Sequence, residues 1–317
     1  MTLISAIEEY IKIRRALGAD FTSAAKVLHS FGRAIGDIPL ESIKAEQCIS
    51  FCRGRRPQDL FRWTKYAHLK PFFRYLQSRG MLAVSPLPEA PRRVGPKFCA
   101  YIYSIEEIRR LLDAIPLLCC SKRWRLQPLT FRTILLLLYG AGLRIGEALS
   151  LRCCDLDLEG QVLTIRDTKF FKSRLVPIGS QLCKVLKDYF SMRKRLPLPD
   201  GEHSRFFVFR TGKPVTYNSI QITFAKLRKK AGIYRPQDDS FQPRIHDFRA
   251  TFAVHRLTSW YRSGVNVQSH LPFLATYLGH KSIAGTMVYL TMTPALLTEA
   301  VNRFKNYAIP QKEHDNE

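Results

Sequence analysis

The sequence predicts a mainly α-helical protein with a small β-sheet, in which a helical N-terminal domain precedes a larger α+β domain. Hydrophobic residues recur near the helical period in four N-terminal stretches, at residues 3–17, about 22–36, 40–53 and 58–79. Further along, residues 161–166 and 174–178 alternate as β-strands do, with a polar turn at 167–173. From residue 216 the pattern is helical again. These observations favour two helix-rich domains, of which only the second contains strands.

A proline-rich segment separates the two parts of the chain. Residues 85–96 contain four prolines and a glycine, together with Arg92 and Arg93. Because proline fixes φ and cannot donate a backbone hydrogen bond, this segment is expected to be an extended, basic linker. We therefore predict an N-terminal domain at 1–84, a linker at 85–98 and a second domain at 99–317.

Local signals in the second domain define its first helices. Ser104 and Glu107 have the spacing of a capping box ahead of an apolar run. An apolar segment at 128–140 predicts a buried helix, and residues 143–151 predict a short helix after the Ala141-Gly142 turn. In the first half, Thr22 or Ser23 is expected to cap the second helix.

The charge of the chain points to a polyanionic partner. Lys and Arg number 50 against 26 Asp and Glu, which gives a formal net charge of +24. Nucleic acid is the usual target of such an excess. A membrane-surface protein is the alternative, but here the basic residues are spread along the chain and are not gathered on one amphipathic helix. Charge alone does not distinguish DNA from RNA or indicate any chemistry.

Cysteine usage and hydropathy favour a cytoplasmic protein. The eight cysteines form no CxxC pair and no zinc-finger spacing, so buried reduced thiols are favoured over disulfides or a metal site. The N-terminus has no continuous apolar region typical of a secretion signal. The longest apolar run, at 134–139, is too short to span a bilayer.

Four blocks in the second domain carry groups suited to breaking a phosphodiester without metal. That chemistry requires a nucleophile, cations for the non-bridging oxygens and an acid for the leaving oxygen. Tyrosine has a pKa near 10, so forming its phenolate at pH 7 costs roughly 4 kcal/mol. Nearby Arg, Lys and His side chains would reduce that cost. Arg suits the phosphate because its planar fork binds two oxygens and stays protonated.

The first two blocks offer cations. Arg144 lies at a turn-to-helix junction, although an ion pair with Glu147 one turn later is the favoured explanation when Arg144 is taken alone. Lys169 lies in the turn between the two predicted strands, where its flexible stem could reach a phosphate. A solvated basic hairpin tip is the alternative for Lys169.

The other two blocks offer imidazoles and a phenol. His246 and Arg249 are three residues apart, so a helix would place both on one face. A helix-start histidine and a surface arginine are the alternative. His280 follows a helix end at Leu278-Gly279, and Tyr289 comes nine residues later. A tyrosine in an apolar helix is more often a core residue than a nucleophile.

Taken together and in order, the blocks resemble the tyrosine recombinase family, also called phage integrases. The resemblance extends over about residues 100–305 and includes the sequence segments GLRIGEALSL, LVPI, HDFRATFAVHRL and YLGHKSIAGTMVYL. The N-terminal helices resemble the core-binding domain of that family. The family's catalytic residues correspond to Arg144, Lys169, His246, Arg249, His280 and Tyr289.

The resemblance implies a fold, a reaction and an assembly. It implies a core-binding domain and a tyrosine-recombinase catalytic domain that together hold double-stranded DNA. Tyr289 would form a 3′-phosphotyrosine, Lys169 would protonate the leaving 5′-oxygen, and His246 would help to accept the tyrosine proton. The remaining Arg144, Arg249 and His280 would bind the non-bridging oxygens. No metal, nucleotide or other cofactor would be needed, and strand exchange would involve four protomers. The expected location is the cytoplasm, at the DNA.

The sequence departs from the family pattern at two places. The first is not one of the six catalytic positions, so activity is expected to survive it, and only the second concerns the subfamily. The residue after Arg249 is Ala250, where the family often has a second histidine. Residues 258–270 make the stretch between Arg249 and His280 longer than usual, which resembles recombinases carried by transposons. A helix at 293–304 is expected to follow the nucleophile and to dock on a neighbouring protomer, with packing on its own domain as the alternative.

Three other functions are weighed against this interpretation. A type IB topoisomerase has similar residues but relaxes DNA as a monomer, and the N-terminal helical domain with its basic linker favours a recombinase. A non-catalytic DNA-binding relic would lack one of the six residues, and none is missing. A metal-dependent transposase would need a carboxylate triad, for which the sequence has no acidic cluster.

Overall fold

The computed structural model describes residues 1–19, 21–53, 59–89, 99–118, 126–168, 172–235, 241–280, 282–291, 297–299 and 301. The chain divides into two compact units, one within Met1–Lys97 and the other built from Phe98–Thr168 and Ser173–Glu317. Residues 90–98 of the predicted linker lie outside the described residues, so the linker at 85–98 stays a prediction.

Within its described residues, the first unit is a bundle of four helices, α1 (Leu3–Ala16), α2 (Thr22–Ile35), α3 (Ala45–Arg53) and α4 (Asp59–Ser78). The apolar face of α1 is buried because Leu3, Ile7 and Tyr10 recur at helical spacing. These side chains belong to one core with Phe31 of α2 and Phe72 of α4. Burial of this shared core holds the unit together.

Two predictions for the first unit are wrong in detail. The N-cap of α2 is Phe21 and not Thr22 or Ser23, because the Phe21 ring packs edge-on against Tyr10 at 5.5 Å between centroids. The predicted helix at 40–53 is two elements, a 3₁₀ turn at Leu40–Ser42 followed by α3. The break arises because Ile43 is extended and buried, so that the helix restarts only beyond it.

The second unit is mainly helical as well. Its helices are α5 (Ile105–Leu118), α6 (Pro128–Ala141), α7 (Ile145–Ser150), α8 (Ser180–Arg193), α9 (Tyr217–Lys230), α10 (Asp247–Arg262), α11 (Val267–Leu278) and α12 (Ala284–Met287). The largely buried α6 packs against α5, α8 and α10 and forms the centre of the unit. In the described part of the chain, no helix is long and apolar enough to cross a membrane.

The predicted capping box at the start of α5 is confirmed. The Ser104 backbone N–H donates to Glu107 Oε2 at 2.9 Å, and the Glu107 N–H donates to Ser104 Oγ at 3.1 Å. Each side chain thus satisfies a backbone donor that the first turn of a helix leaves free.

The sheet of the second unit has three strands in the order β1 (Leu156–Asp157), β2 (Val162–Thr168), β3 (Lys172–Pro177). The two-residue β1 was not predicted, and it pairs antiparallel to β2 with Leu156 opposite Leu163. Strand β2 continues to Thr168 and β3 already begins at Lys172, so the predicted turn at 167–173 is wrong at both of its ends. Lys169 lies outside the described residues.

The described cysteines are all free thiols. Four are buried, as expected: Cys48, Cys52, Cys153 and Cys183. The expectation of burial is wrong for Cys99, which is exposed in the segment before α5, while Cys154 is half-buried. Cys119 and Cys120 lie outside the described residues.

Candidate active site

Arg144 follows a sharp turn at the end of α6. Gly142 ends that helix in the left-handed conformation, with φ +59°. A Cβ at this position would lie 2.4 Å from Phe252 Cδ1, so both the backbone angle and the close approach favour glycine. The turn brings Arg144 to the N-cap of α7.

The Arg144 guanidinium has two anchors. Nη1 donates to Glu147 Oε1 at 2.8 Å, which is the ion pair that the spacing suggested as the alternative interpretation. Nη2 donates to the carbonyl oxygen of Gly279 at 3.1 Å, which joins α7 to the end of α11. With 40% of its side chain exposed, Arg144 is both anchored and accessible to a ligand.

Glu147 lies between two arginines. Besides its bonds with Arg144, its two oxygens accept from Nη1 and Nη2 of Arg174 at 3.1 and 2.9 Å. Burial by itself would raise the pKa of Glu147, but the hydrogen bonds and charge of Arg174, with the hydrogen bonds from Arg144, lower it to about 2. The carboxylate is therefore charged at neutral pH.

Arg249 is buried on α10, with 4% of its surface exposed, and is not a surface arginine. Its Nη1 donates to the Gly142 carbonyl at 2.8 Å, and its Nη2 donates to the carbonyl of Leu278. Burial, followed by the charge of Arg144, lowers the pKa of Arg249 to about 10. The guanidinium therefore remains a cation at pH 7.

His246 lies at the N-cap of α10, three residues before Arg249. Its side chain is exposed and lines a cavity of about 620 Å³ that Arg144 also lines. Partial loss of solvation, and then the charges of Arg249 and Arg244, lower the pKa of His246. The imidazole is therefore neutral at pH 7 and can accept a proton.

His280 follows the end of α11, where Gly279 has φ +68°. Its Nδ1 lies 2.7 Å from Oγ1 of Thr286, which is fully buried. Burial, and then the charges of Arg249 and Arg144, lower the pKa of His280 to about 4. The ring is thus neutral at pH 7, with one nitrogen held by a hydroxyl group.

Tyr289 is half-buried in the 3₁₀ turn Val288–Thr291 that follows α12. Its ring centroid lies 5.9 Å from that of His280, with 32° between the ring planes. Part of the ring packs on the apolar cluster formed by α10 and α11. The structure therefore brings Tyr289 next to His280, and Arg144, Arg249 and His280 meet around the Gly142 and Leu278-Gly279 turns.

Two residues of this site were missed in the sequence. Arg174 was considered only as the first residue of the return strand and as a basic neighbour that could substitute for Lys169, and Thr286 only as part of the segment around Tyr289. Neither has a local signal, because their partners Glu147 and His280 come close only through the fold. In the described part of the chain, no three His, Cys, Asp or Glu side chains are grouped so that they could hold a metal ion.

Comparisons with known proteins identify relatives of this chain. Residues 104–295 match a family model described as the phage integrase family. The chain is 35% identical over 310 residues to a putative integrase/recombinase, y4rB, of Sinorhizobium fredii, covering 96% of this chain and 97% of that protein. It is 30% identical over 270 residues to the tyrosine recombinase XerC of Chlorobaculum parvum, covering 79% and 74%. The Tn1549 transposon integrase, solved in complex with transposon right end DNA, superposes with a TM-score of 0.67 at 18% identity, covering 98% of this chain and all of that one.

Proposed function

The chain belongs to the phage integrase family and is a tyrosine recombinase, an enzyme that transfers DNA strands, and we propose that Tyr289 is its nucleophile. The phenolic oxygen attacks the scissile phosphorus, a 3′-phosphotyrosine forms, and the 5′-oxygen leaves with a proton. The freed 5′-hydroxyl of a partner strand then reverses the step. Because the phosphotyrosine ester conserves the free energy of the broken phosphodiester bond, the reaction needs no nucleotide.

The observation that carries this proposal is the meeting of Arg144, Arg249 and His280 beside Tyr289. The three residues come from segments far apart in the chain, yet Arg144 and Arg249 both bind carbonyls of the Leu278-Gly279 turn, and Arg249 also binds that of Gly142. Their fixed positive charges lie ready for the non-bridging oxygens of a phosphate. Preorganised charge of this kind lowers the barrier because it needs no rearrangement when the pentavalent anion forms.

His280 is proposed as a hydrogen-bond donor to the same phosphate. Its ring is neutral at pH 7, so only one of its nitrogens carries a proton. If the Thr286 hydroxyl donates to Nδ1, the proton is on Nε2, and Nε2 can donate to a phosphate oxygen. His280 then adds a directed donor without adding a charge.

His246 and Lys169 are proposed for the two proton transfers. The lowered pKa of His246 leaves its ring free to accept the proton of Tyr289 at neutral pH. Lys169 is proposed to protonate the leaving 5′-oxygen. This role is supported by the place of Lys169 in the sequence between β2 and β3. Arg174 of β3 binds Glu147, which in turn binds Arg144.

Double-stranded DNA is the proposed substrate. Each strand that is cut requires its own Tyr289, so exchange between two duplexes requires four protomers. We propose that residues 1–84 form a core-binding domain, 85–98 the linker and 99–317 the catalytic domain, working on DNA in the cytoplasm. The long 258–270 stretch and the fold shared with a transposon integrase support a role in a mobile element.

The nucleophile can be tested with a suicide DNA substrate nicked close to its cleavage site, in buffer containing EDTA. The wild-type chain should form a covalent adduct, seen on a denaturing gel, and Tyr289→Phe should form none while binding DNA equally well. Tyr261→Phe is the matched control, since Tyr261 packs on the same apolar cluster. An adduct with Tyr289→Phe would refute the assignment. On DNA with two sites, exchanged products separate a recombinase from a topoisomerase.

A further inference from the structure

We propose that Arg174 is a positioning residue for strand cleavage, which holds Glu147 and, through it, Arg144 in the geometry that receives the scissile phosphate. This inference rests on the proposed function. It concerns a guanidinium on β3 that is separate from the six residues assigned to the chemistry.

The contact between Arg174 and Glu147 is two-pronged. Nη1 and Nη2 donate to the two carboxylate oxygens at 3.1 and 2.9 Å, so the planes of both groups are aligned. Only 12% of the Arg174 side chain and 10% of the Glu147 side chain are exposed. Since Arg174 is largely covered and faces a carboxylate, it is placed to act through Glu147 and not on DNA.

A second contact joins Arg174 to the segment that leads into His280. Its Nε donates to the carbonyl oxygen of Tyr277 at 2.9 Å, in the last turn of α11. The guanidinium also lies directly against Gly279, where a Cβ would come within 2.9 Å of Nη1. The absence of a side chain at Gly279 therefore makes room for Arg174.

These contacts form a closed ring of interactions. Arg174 holds Glu147, Glu147 holds Arg144, and Arg144 holds the Gly279 carbonyl two residues beyond the Tyr277 carbonyl that Arg174 binds. The ring joins β3, α7 and the end of α11. Each side chain in it is held from two directions, so the Arg144 guanidinium has a defined position before DNA arrives.

Loss of Arg174 opens this ring at two places. Glu147 would keep only its bonds with Arg144, and the Tyr277 carbonyl would lose its donor. The ionisable groups that still act on Glu147 would then be two cations, Arg144 at the N-cap of α7 and Arg249 of α10, and the neutral His280. Glu147 would then no longer be fixed, and the Arg144 guanidinium bound to it would lose the position in which it receives the phosphate.

The test compares Arg174→Met with Arg174→Lys and with a matched control, Arg166→Met. Arg166 lies on the neighbouring strand β2 and pairs with Asp155, a buried carboxylate, so its loss also removes an arginine from a buried acid. Single-turnover cleavage of the suicide substrate at saturating DNA gives the rate, and titrations at several salt concentrations give the DNA affinity. Thermal unfolding monitors the fold of each variant.

Arg174→Met is expected to cleave about 10- to 100-fold more slowly, the size of effect that small misplacements of reacting groups produce. Its DNA affinity and salt dependence should match the wild type, because no phosphate contact is lost. Arg174→Lys should stay slow, since an ammonium cannot reproduce the fork. Arg166→Met should cleave at the wild-type rate.

The double variant Glu147→Gln/Arg174→Met decides whether Arg174 acts through Glu147. If it does, the double variant cleaves no more slowly than the slower single variant, because both substitutions remove the same interaction. The proposal would be overturned if the rate defect of the double variant equalled the product of the two single-variant defects. A wild-type cleavage rate in Arg174→Met would overturn it as well. The proposal would also be overturned if Arg174→Met reduced the slope of log DNA affinity against log salt concentration by about one, because that would indicate a direct phosphate contact.

The other variants decide the question even if Arg174→Met fails to fold. If Arg174→Met does not fold, Arg174→Lys retains the charge and the double variant leaves no unpaired buried acid, so their rates decide. Failure of the proposed function would look different, because the wild type and Arg166→Met would then form no adduct either. A normal adduct with the wild type and an unaltered rate in the Arg174 variants would reject the positioning role alone.

Discussion

Replacing Glu147 with glutamine removes the negative charge between two arginines while keeping the size of the side chain. In the folded protein the pKa of Glu147 is about 2, against an ordinary value of 4.5. Since one pKa unit corresponds to 1.36 kcal/mol, ionisation of Glu147 contributes about 3 kcal/mol to the free energy of unfolding at neutral pH. With only 10% of the side chain exposed, screening by water reduces this value little.

The sign of the pH dependence follows from the lowered pKa. The stabilisation is fully present above about pH 4.5, where the carboxyl group ionises in the unfolded chain, and it disappears as the pH falls towards 2. Between pH 5 and pH 3, the difference in unfolding free energy between wild type and Glu147→Gln should therefore shrink by about 2 kcal/mol.

Urea unfolding of the full chain at pH 7, 5, 4 and 3 measures this difference. Glu159→Gln is the control, since Glu159 is 92% exposed and its surface pair with Lys187 should contribute less than about 1 kcal/mol at any of these pH values. If the difference between wild type and Glu147→Gln stays constant from pH 5 to pH 3, the two arginines do not hold Glu147 ionised. The ring of contacts around Arg144 would then be wrong.

Three further substitutions test other parts of the site. Gly142→Ala should lower the melting temperature, with a destabilisation of at least about 1 kcal/mol from its positive φ and from the contact with Phe252, and an unchanged melting curve would contradict the turn. Thr286→Val should slow adduct formation up to about tenfold, because a hydrogen bond to His280 worth about 1 kcal/mol is lost; an unaltered rate would show that His280 needs no such partner. Lys169→Ala should cleave normal DNA ~10²–10⁴-fold more slowly and recover on a 5′-bridging phosphorothioate, whose leaving group needs little protonation. Equal slowness on both substrates would remove Lys169 as the acid.

Local signals predicted the elements that hold the site. The start of α5 follows from a capping box, and the ends of α6 and α11 follow from Gly142 and Gly279, because these signals act within one turn of the chain. The split of the 40–53 region was not predictable in this way. It results from the packing of Ile43 into a core formed by other helices.

The candidate active site could be predicted only in part from the sequence. The spacing suggested that Arg144 pairs with Glu147 or binds phosphate, and the structure contains the ion pair while leaving the guanidinium accessible. Arg174 was missed because its partners lie 27 and 103 residues away in the chain, at Glu147 and Tyr277. Such contacts exist only after folding, and periodicity or capping gives no indication of them.

The two arginines that we propose to bind the phosphate are anchored on main-chain atoms, since Arg144 binds the Gly279 carbonyl and Arg249 binds the carbonyls of Gly142 and Leu278. Every amino acid supplies a carbonyl oxygen, so the anchor at Leu278 survives substitution of its side chain, whereas Gly142 and Gly279 are also needed for their positive φ. What must be inherited is the path of the backbone, which the two glycine turns enforce. Other residues around the proposed catalytic centre can therefore be exchanged while Arg144 and Arg249 keep their positions.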